Sequence, residues 1–350
     1  MRNWAIRHFV GRQGIDQMRL SLALRPISLR LEIRRRWSVY TQMPFAPSHQ
    51  SSLSVIICTH NPKLSVLDRA VAALRAQDIA ESEYEFLIID NGSEHSLPDA
   101  LVAWHPRGKI IREDTLGLTH ARLRGIREST GRLIVFIDDD NVLAPDYLTI
   151  AAEIAAEHEK IGAFSGSIKA EFEVTPPPSI LPYVEYLACS EIDRDHWGNS
   201  DSKWATPSGA GLCVRRPVAE QYARMIANDP LRKALGRSGK KLTSGEDHDL
   251  ALTATDMAMG VGRFHRLRLT HLIARQRLTE DYIIRLYAGI GECTKVLEAA
   301  RPHFKRQRSK MESVRFLWQL IRGPNFERRL LWARWKAERE AERTLAALRK

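Results

Sequence analysis

Short, continuously apolar runs alternate with amphipathic stretches through the first half of the chain, and this alternation restricts the fold more than any other feature. Three of these runs have strand length and are rich in branched residues, which predicts strands buried on both faces. They are Leu53–Cys58, Phe86–Asp90 and Leu133–Asp138. Between the first two runs, apolar residues recur at helical spacing over residues 64–74. The pattern predicts an α/β domain with a largely parallel sheet, in which ligands bind at the carboxyl ends of the strands.

Weaker patterns extend this prediction along the chain. Lys109–Arg112 predicts a further strand, Leu116–Thr130 predicts a helix, and residues 279–300 predict another helix that begins at a threonine. Asn61 and Pro62 directly follow the first strand. Because Asn caps helices and Pro fits their first turn, these two residues predict a helix that starts there.

The charge of the chain is unevenly distributed. The 350 residues have a formal net charge of +11. Residues 1–50 hold nine arginines against two acidic residues, and residues 301–350 hold fifteen Lys and Arg against five Glu, so residues 51–300 are net acidic. We therefore predict a basic N-terminal extension with a linker over 1–50, a central domain over 51–300, and a basic, amphipathic, helical C-terminal extension over 301–350.

Several classes of protein are disfavoured by the sequence. No apolar run approaches the roughly 20 residues that span a bilayer, and arginines interrupt the N-terminal segment where a signal peptide would need an apolar core. The four cysteines are far apart and form no C-x-x-C pair, which is typical of reduced cytoplasmic thiols. The sequence has no recognised nucleic-acid-binding motif. A cytoplasmic protein is predicted.

The basic ends have two interpretations. Apolar and Trp residues recur at helical spacing among Arg and Lys over 314–321 and 330–335. Such stretches suit a peripheral position on an anionic membrane surface, at the inner face of the plasma membrane. Alternatively, the same stripes pack on the catalytic body.

The sharpest local motif is the triplet Asp138-Asp139-Asp140, at the end of a predicted strand. In an extended segment, Asp138 and Asp140 would project to one side and Asp139 to the other. Converging carboxylates suit Mg²⁺ or Mn²⁺, which keeps room for water and substrate phosphates. The alternative is an acidic turn without a ligand.

A second acidic motif, Glu246-Asp247-His248-Asp249, precedes an Ala/Leu-rich helical stretch. One of its carboxylates could accept a proton from an attacking hydroxyl. The alternative is an acidic helix N-terminus, where the helix dipole favours negative charge.

Three single residues are further candidates. Asp90 begins an Asp-Asn-Gly-Ser turn and could accept hydrogen bonds from a ribose or a base, or could simply form the turn. Arg122 could pair with a phosphate, or could be a solvated helix residue. His271 stands in an apolar stretch, as a buried core residue or as a metal ligand.

The order of the motifs is more specific than any one of them. The segments Ser54–Asn61, Leu87–Ser93, Gly117–Arg122, Val135–Asp140 and Gly245–Asp247 follow one another. In this order they closely resemble the non-processive family 2 glycosyltransferases of the GT-A fold, strongly over about 53–170 and more loosely to about 300. The resemblance implies a Rossmann-like, mixed, mostly parallel sheet flanked by helices. It also implies inverting, metal-dependent transfer from a nucleotide-diphosphate-sugar donor to an acceptor hydroxyl.

The resemblance also implies roles for individual residues. Asp247 falls at the position of the general base, Asp138 and Asp140 at the D-x-D metal element, and His271 is a candidate further ligand. The remaining assignments are donor binding by Thr59, His60, Asn61, Asp90, Arg122, Asp138 and Asp139, and acceptor binding by Gly209, Gly211 and Glu246.

Two departures from the family pattern qualify the expected substrate. Leu123 stands where the family often has an Asn, so a polar donor contact is missing. The Q-x-x-R-W element of processive synthases is absent, which favours a single addition.

The expected acceptor is a glycan or a lipid-linked glycan in cell-surface or lipopolysaccharide-type biosynthesis. The alternatives are a nucleotidyltransferase on a related fold and, more remotely, a metal-dependent nucleic-acid-binding enzyme.

Overall fold

The computed structural model describes residues 53–227, 229–233, 235–237, 242–301, 316 and 318–348. All of these residues belong to one compact unit, which spans residues 50–350. The predicted basic N-terminal extension therefore lies outside the described residues. The same is true of the 302–315 part of the predicted C-terminal extension.

Nine strands form one mixed sheet in the described part of the chain. They are β1 Leu53–Thr59, β2 Tyr84–Asp90, β3 Gly108–Arg112, β4 Leu133–Asp138, β5 Asn141–Leu143, β6 Ile161–Phe172, β7 His196–Gly198, β8 Leu212–Arg215 and β9 Gly260–Ile273. Their order in the sheet is β3-β2-β1-β4-β8-β6-β9-β5, with β7 paired to β9. The pairs among β1 to β4 and the pair β6–β9 are parallel, and the remaining pairs are antiparallel with shorter registers.

Helices cover both faces of this sheet. Successive residues of β1 point to opposite faces, and both faces are buried. Val55 and Ile57 belong to one buried apolar cluster, whereas Ile56 and Cys58 belong to another. The helices are α1 Leu64–Arg75, α2 Leu118–Glu128, α3 Tyr147–Glu157, α4 Arg216–Ala227, α5 Pro230–Lys233, α6 Glu246–Asp256, α7 Glu280–Ala300 and α8 Asn325–Leu348. The predicted α/β class with a mixed sheet is confirmed.

The strand registers determine where the acidic motifs meet. Thr59 at the end of β1 is paired with Asp90 of β2, and Cys58 is paired with Asp138 of β4. Antiparallel pairing of β5 with β9 places Asn141 opposite His271. One edge of the sheet therefore brings together the carboxyl ends of β1, β2 and β4 and the carboxyl-terminal part of β9, which contains His271.

The helix predicted to start at Asn61 and Pro62 starts later. Helix α1 begins at Leu64 after Lys63, and Asn61 has a positive φ of 48°. The N–H of Asn61 donates to Ser93 Oγ (2.9 Å), and its Oδ1 accepts from the N–H of Glu94 (2.8 Å). Asn61 therefore links the ends of two strands instead of capping α1, and the capping prediction was wrong. The predicted helix over 279–300 is confirmed, with Thr279 as its N-cap.

The C-terminal helix α8 packs along α7, so part of the basic extension does pack on the catalytic body. Leu330 and Leu345 are buried in this contact, and the Arg334 guanidinium lies 4.9 Å from the centre of the Tyr287 ring. Other apolar residues of the extension face outward, and Trp332 is 56% exposed. None of the described helices is long and apolar enough to cross a membrane.

Candidate active site

A cavity of about 350 Å³ opens at the edge of the sheet where the strand ends meet. Its walls come from both halves of the sheet, the parallel half formed by β1 to β4 and the half that contains β8 and β9. The predicted site residues that line it are Thr59, His60, Arg122, Asp138, Asp139, Asp140, Gly209, Glu246, Asp247 and His271. Asn61, Asp90 and Gly211 are not among its lining residues.

All three carboxylates of the first acidic motif face this cavity. Strand β4 ends at Asp138, and the next two residues form a turn. The prediction that Asp139 would project to the opposite side from Asp138 and Asp140 was therefore wrong. The turn lets Asp139 reach Thr59, whose hydroxyl donates to Asp139 Oδ2. Burial, together with the neighbouring charge of Asp140, raises the pKa of Asp139 to about 7.

Asp140 is held between two basic side chains. Its Oδ1 lies 3.2 Å from His271 Nε2, and its Oδ2 accepts a hydrogen bond from Arg277 Nη1 at 2.9 Å. Burial opposes ionisation of Asp140, but His271 and Arg277 outweigh it and keep the pKa of Asp140 below its usual range. Arg277 was not predicted, because nothing in the Arg275–Arg277 turn indicates that it reaches back to β4.

The carboxylates at the end of β4 are chemically suited to a hard divalent cation. Asp138 and Asp140 both present oxygen ligands to the cavity. Among the described residues, no group of three or more His, Cys, Asp or Glu side chains is arranged to hold a metal ion. Since Mg²⁺ and Mn²⁺ commonly take one or two carboxylates and complete their shell with phosphate and water, two are sufficient.

Arg122 is a buried ion-pairing residue. It is 2% exposed, its Nη1 donates to Glu246 Oε1 at 3.2 Å, and its Nη2 lies 3.8 Å from Asp138 Oδ1. Burial would lower the pKa of Arg122, but these two carboxylates raise it above its usual value. The alternative of a solvated helix residue was wrong, and Arg122 ties the two acidic motifs together.

Asp247 is positioned by backbone groups. Its Oδ2 accepts the N–H of Gly209 and its Oδ1 accepts the N–H of His248, both at 2.8 Å. A side chain at position 209 would place its Cβ 2.8 Å from Asp247 Oδ2 and 2.9 Å from Arg122 Nη2. A Cβ at position 209 would therefore displace the Asp247 carboxylate or the Arg122 guanidinium from its present position.

The other carboxylates of the second acidic motif are neutralised by arginines. Asp249 is fully buried and lies 2.6 Å from Arg232 Nη1 and 2.8 Å from Arg301 Nε. Glu246 lines the cavity but is buried against Arg122; burial raises its pKa and the charge of Arg122 opposes this rise. Asp247 is thus the acid of this motif that carries no paired arginine among the described contacts.

Two predicted residues lie beside the cavity wall. Asp90 is buried, its Oδ1 accepts the N–H of Ser93 at 3.0 Å and its Oδ2 lies 3.2 Å from Arg112 Nη1. Its neighbour Asn91, which was not singled out from the sequence, lines the cavity instead. The Gly211 carbonyl accepts a hydrogen bond from the Tyr147 hydroxyl at 2.6 Å.

The sheet has helices on both faces, and carboxylates at the ends of its strands line a cavity. These features are typical of ligand-binding α/β proteins of the doubly wound class. Residues 54–215 match the model of the family described as Glycosyl transferase family 2. Residues 54–215 of the chain therefore form a family 2 glycosyltransferase domain.

Relatives with assigned names agree with this family. The chain is 31% identical over 288 residues to an N-acetylglucosaminyltransferase of Mesorhizobium japonicum, covering 78% of this chain and 59% of the relative. A validoxylamine A glucosyltransferase of Streptomyces hygroscopicus is 32% identical over 110 residues, covering 30% of this chain and 26% of the relative. The chain thus spans less than two thirds of the length of these relatives.

Among solved structures, the chain is similar to a mannosyltransferase of Pyrobaculum calidifontis in complex with GDP-Man and Mn²⁺. The identity is 18%, the TM-score is 0.49, and the match covers 91% of this chain and 86% of that one.

Proposed function

We propose that the chain transfers a hexosyl group from a nucleotide-diphosphate sugar to an acceptor hydroxyl, with inversion and with the help of a divalent cation. One observation carries the proposal. The Asp247 carboxylate, which forms no ion pair with an arginine among the described contacts, lines the same cavity as Asp138 and Asp140. This arrangement supports a base and a site for an anionic leaving group within one cavity.

Different residues of the cavity wall would bind the nucleotide, hold the cation and accept the proton. Thr59, His60 and Asn91 form the wall at the ends of β1 and β2, where the nucleotide would lie. Asp138 and Asp140 would hold the cation, which when bound stabilises charge on the departing diphosphate. Asp247 would take the proton of the acceptor hydroxyl. The hydroxyl oxygen forms its bond to the anomeric carbon as the bond to the diphosphate breaks, which inverts that carbon.

Three further assignments follow from the same arrangement. Glu246 lies beside Asp247 and Arg122 and would contact the acceptor, whereas Gly209 would act by holding Asp247 in place. His271 would support the metal site by fixing Asp140. The names of the relatives, an N-acetylglucosaminyltransferase and a glucosyltransferase, support a hexosyl donor.

A thermal-shift panel tests the donor class. We expect one of UDP, GDP or dTDP, or one of their sugars, to raise the melting temperature in the presence of Mn²⁺, and to raise it less in its absence. Nucleoside triphosphates serve as the comparison. Stabilisation by a triphosphate alone, followed by release of pyrophosphate, would favour the nucleotidyltransferase alternative and contradict sugar transfer.

We further propose that the outward side of the C-terminal extension contacts an anionic membrane, where a lipid-linked acceptor would reside. The supporting observation is the exposure of Trp318, Ile321 and Trp332 in a basic segment whose apolar residues Leu330, Ala341 and Leu345 are buried. Co-sedimentation with phosphatidylglycerol vesicles tests this. Trp332→Ala should reduce the bound fraction, whereas Trp197→Ala, which removes an equally exposed indole elsewhere, should leave it unchanged. Equal loss in both variants, or no binding by the wild type, would contradict the proposal.

A further inference from the structure

The loop between β6 and β8 carries two exposed indole rings. Trp197 is 66% exposed and Trp204 is 61% exposed, although the loop itself is tied to the body by side-chain contacts. A large aromatic face that a fixed loop holds in solvent is typical of surfaces that stack against a ligand ring. These two residues take no part in the reaction proposed above.

Two side-chain contacts tie the Trp204 end of this loop to segments that carry cavity-lining residues. Asp201 Oδ1 lies 2.9 Å from His248 Nε2, and His248 directly follows Asp247, which lines the cavity. Lys203 Nζ lies 3.1 Å from Glu185 Oε2, and Glu185 directly precedes Tyr186, which also lines the cavity. The loop is therefore attached next to two residues of the cavity wall.

The chain itself keeps Trp204 close to the base. Trp204 precedes Gly209 by five residues, so their Cα atoms are at most about 18 Å apart. The N–H of Gly209 donates to Asp247, which fixes that end of the segment in the cavity. Hydrogen bonds from Thr206 Oγ1 to Asp201 Oδ1 (3.0 Å) and from the Ser202 N–H to Thr206 Oγ1 (2.9 Å) fold the segment into a compact turn.

The surroundings of the ring favour a neutral ligand. The His196 ring lies 5.9 Å from the Trp204 ring, tilted by 31°, and Lys203 Nζ lies 5.8 Å from its centre. The cationic groups that hold the loop, Lys203 and His248, are each paired with a carboxylate. A phosphate-rich ligand would require unpaired cations, whereas a pyranose needs an aromatic face for its C–H side and polar groups for its hydroxyls.

We infer that Trp204, with His196 and Lys203 beside it, forms an acceptor platform. One pyranose ring of the acceptor glycan stacks on this platform, while a hydroxyl of a different ring of the same glycan reaches Asp247. This inference rests on the proposed function and deepens it. It specifies an acceptor with at least one sugar ring beyond the one that is modified, because the platform lies outside the cavity that receives the donor.

Trp197 provides a matched control. It is exposed to a similar extent and lies in the same loop, in strand β7. Because side chains alternate along a strand, Trp197 points away from the side on which His196 meets Trp204. Replacing Trp197 therefore removes the same kind of surface without touching the acceptor platform.

Saturation-transfer NMR and titration with β1,4-linked glucose and N-acetylglucosamine oligosaccharides of one to six units test the inference. We expect the full chain to bind the longer members, Trp204→Ala to weaken this binding by about tenfold, and Trp204→Phe to retain most of it. Trp197→Ala should bind like the wild type. Nucleotide binding, measured in parallel on every variant, should not change.

The outcomes separate the two proposals. Oligosaccharide binding that survives in Trp204→Ala, or that Trp197→Ala reduces equally, overturns the acceptor platform. So does a wild type that binds nucleotide but none of the oligosaccharides, and in that case the proposed function still stands. A wild type that binds oligosaccharides through Trp204 but no nucleotide sugar supports the platform as a glycan site and overturns sugar transfer.

Discussion

The two acidic motifs of this chain have similar compositions but different surroundings. Asp138, Asp139 and Asp140 all line the cavity, and Asp140 is also paired with the side chains of His271 and Arg277. In the second motif, Asp249 is fully buried between arginines and Asp247 is held by backbone N–H groups. The groups that face a carboxylate, rather than its sequence neighbours, therefore determine whether it is available to a ligand.

The largest expected effect separates Asp247 from the other acids. Asp247→Asn keeps an oxygen that can accept the N–H of Gly209 but cannot take a proton, so we expect transfer to fall by about 100- to 10,000-fold while donor binding is retained. Single-turnover transfer and nucleotide titration measure the two quantities. Asp281→Asn, at an exposed helix position, is the control. Unchanged turnover in Asp247→Asn would exclude Asp247 as the base.

Asp249 should affect stability instead. Asp249→Ala leaves Arg232 and Arg301 buried without the carboxylate that they share, and breaking a buried ion pair costs about 3–5 kcal/mol of the free energy of unfolding. Urea unfolding measures this, with Asp281→Ala as a control that removes only an exposed pair with Arg329. If both variants unfold at the same urea concentration, Asp249 does not hold α6 in place.

Asp140 should affect the dependence of nucleotide binding on metal. In Asp140→Ala we expect the gain in nucleotide affinity from Mn²⁺ to fall by about 10- to 100-fold. Metal-free binding should hold or strengthen, because Arg277 and His271 lose their carboxylate partner and can face the diphosphate. Calorimetric titration with and without Mn²⁺ measures both, and Asp114→Ala is the exposed control. Equal binding by the wild type in the two conditions would contradict the metal assignment.

The smallest expected effect concerns pH and Asp139. Because the folded chain raises the pKa of Asp139 from 3.8 to about 7, the folded state holds this proton more tightly than the unfolded state. The resulting penalty builds up as pH rises from about 4 to 7, and is absent in Asp139→Asn. We expect this variant to gain stability relative to the wild type progressively as the pH rises over that range. A constant difference across pH would contradict the raised pKa.

Much of the fold follows from local sequence because its elements have strong local patterns. The apolar runs of β1, β2 and β4 form strands wherever they are buried on both faces, and Thr279 caps α7 through its own hydroxyl. The start of α1 did not follow, because Asn61 hydrogen-bonds to Ser93 and Glu94, more than thirty residues away. A local capping preference is overridden when a distant partner takes the same side chain.

The sequence by itself determined the α/β class, the position of the first acidic motif at the end of a strand, and the carboxyl edge of the sheet as the ligand-binding edge, because these depend on hydrophobic periodicity and on the geometry of parallel strands. Only the tertiary structure decided which acids are available to a ligand. Arg301 reaches Asp249 across 52 residues and Arg277 reaches Asp140 across 137 residues. Since the electric field at a carboxylate comes from groups brought near it by folding, its role cannot be read from its neighbours in the chain.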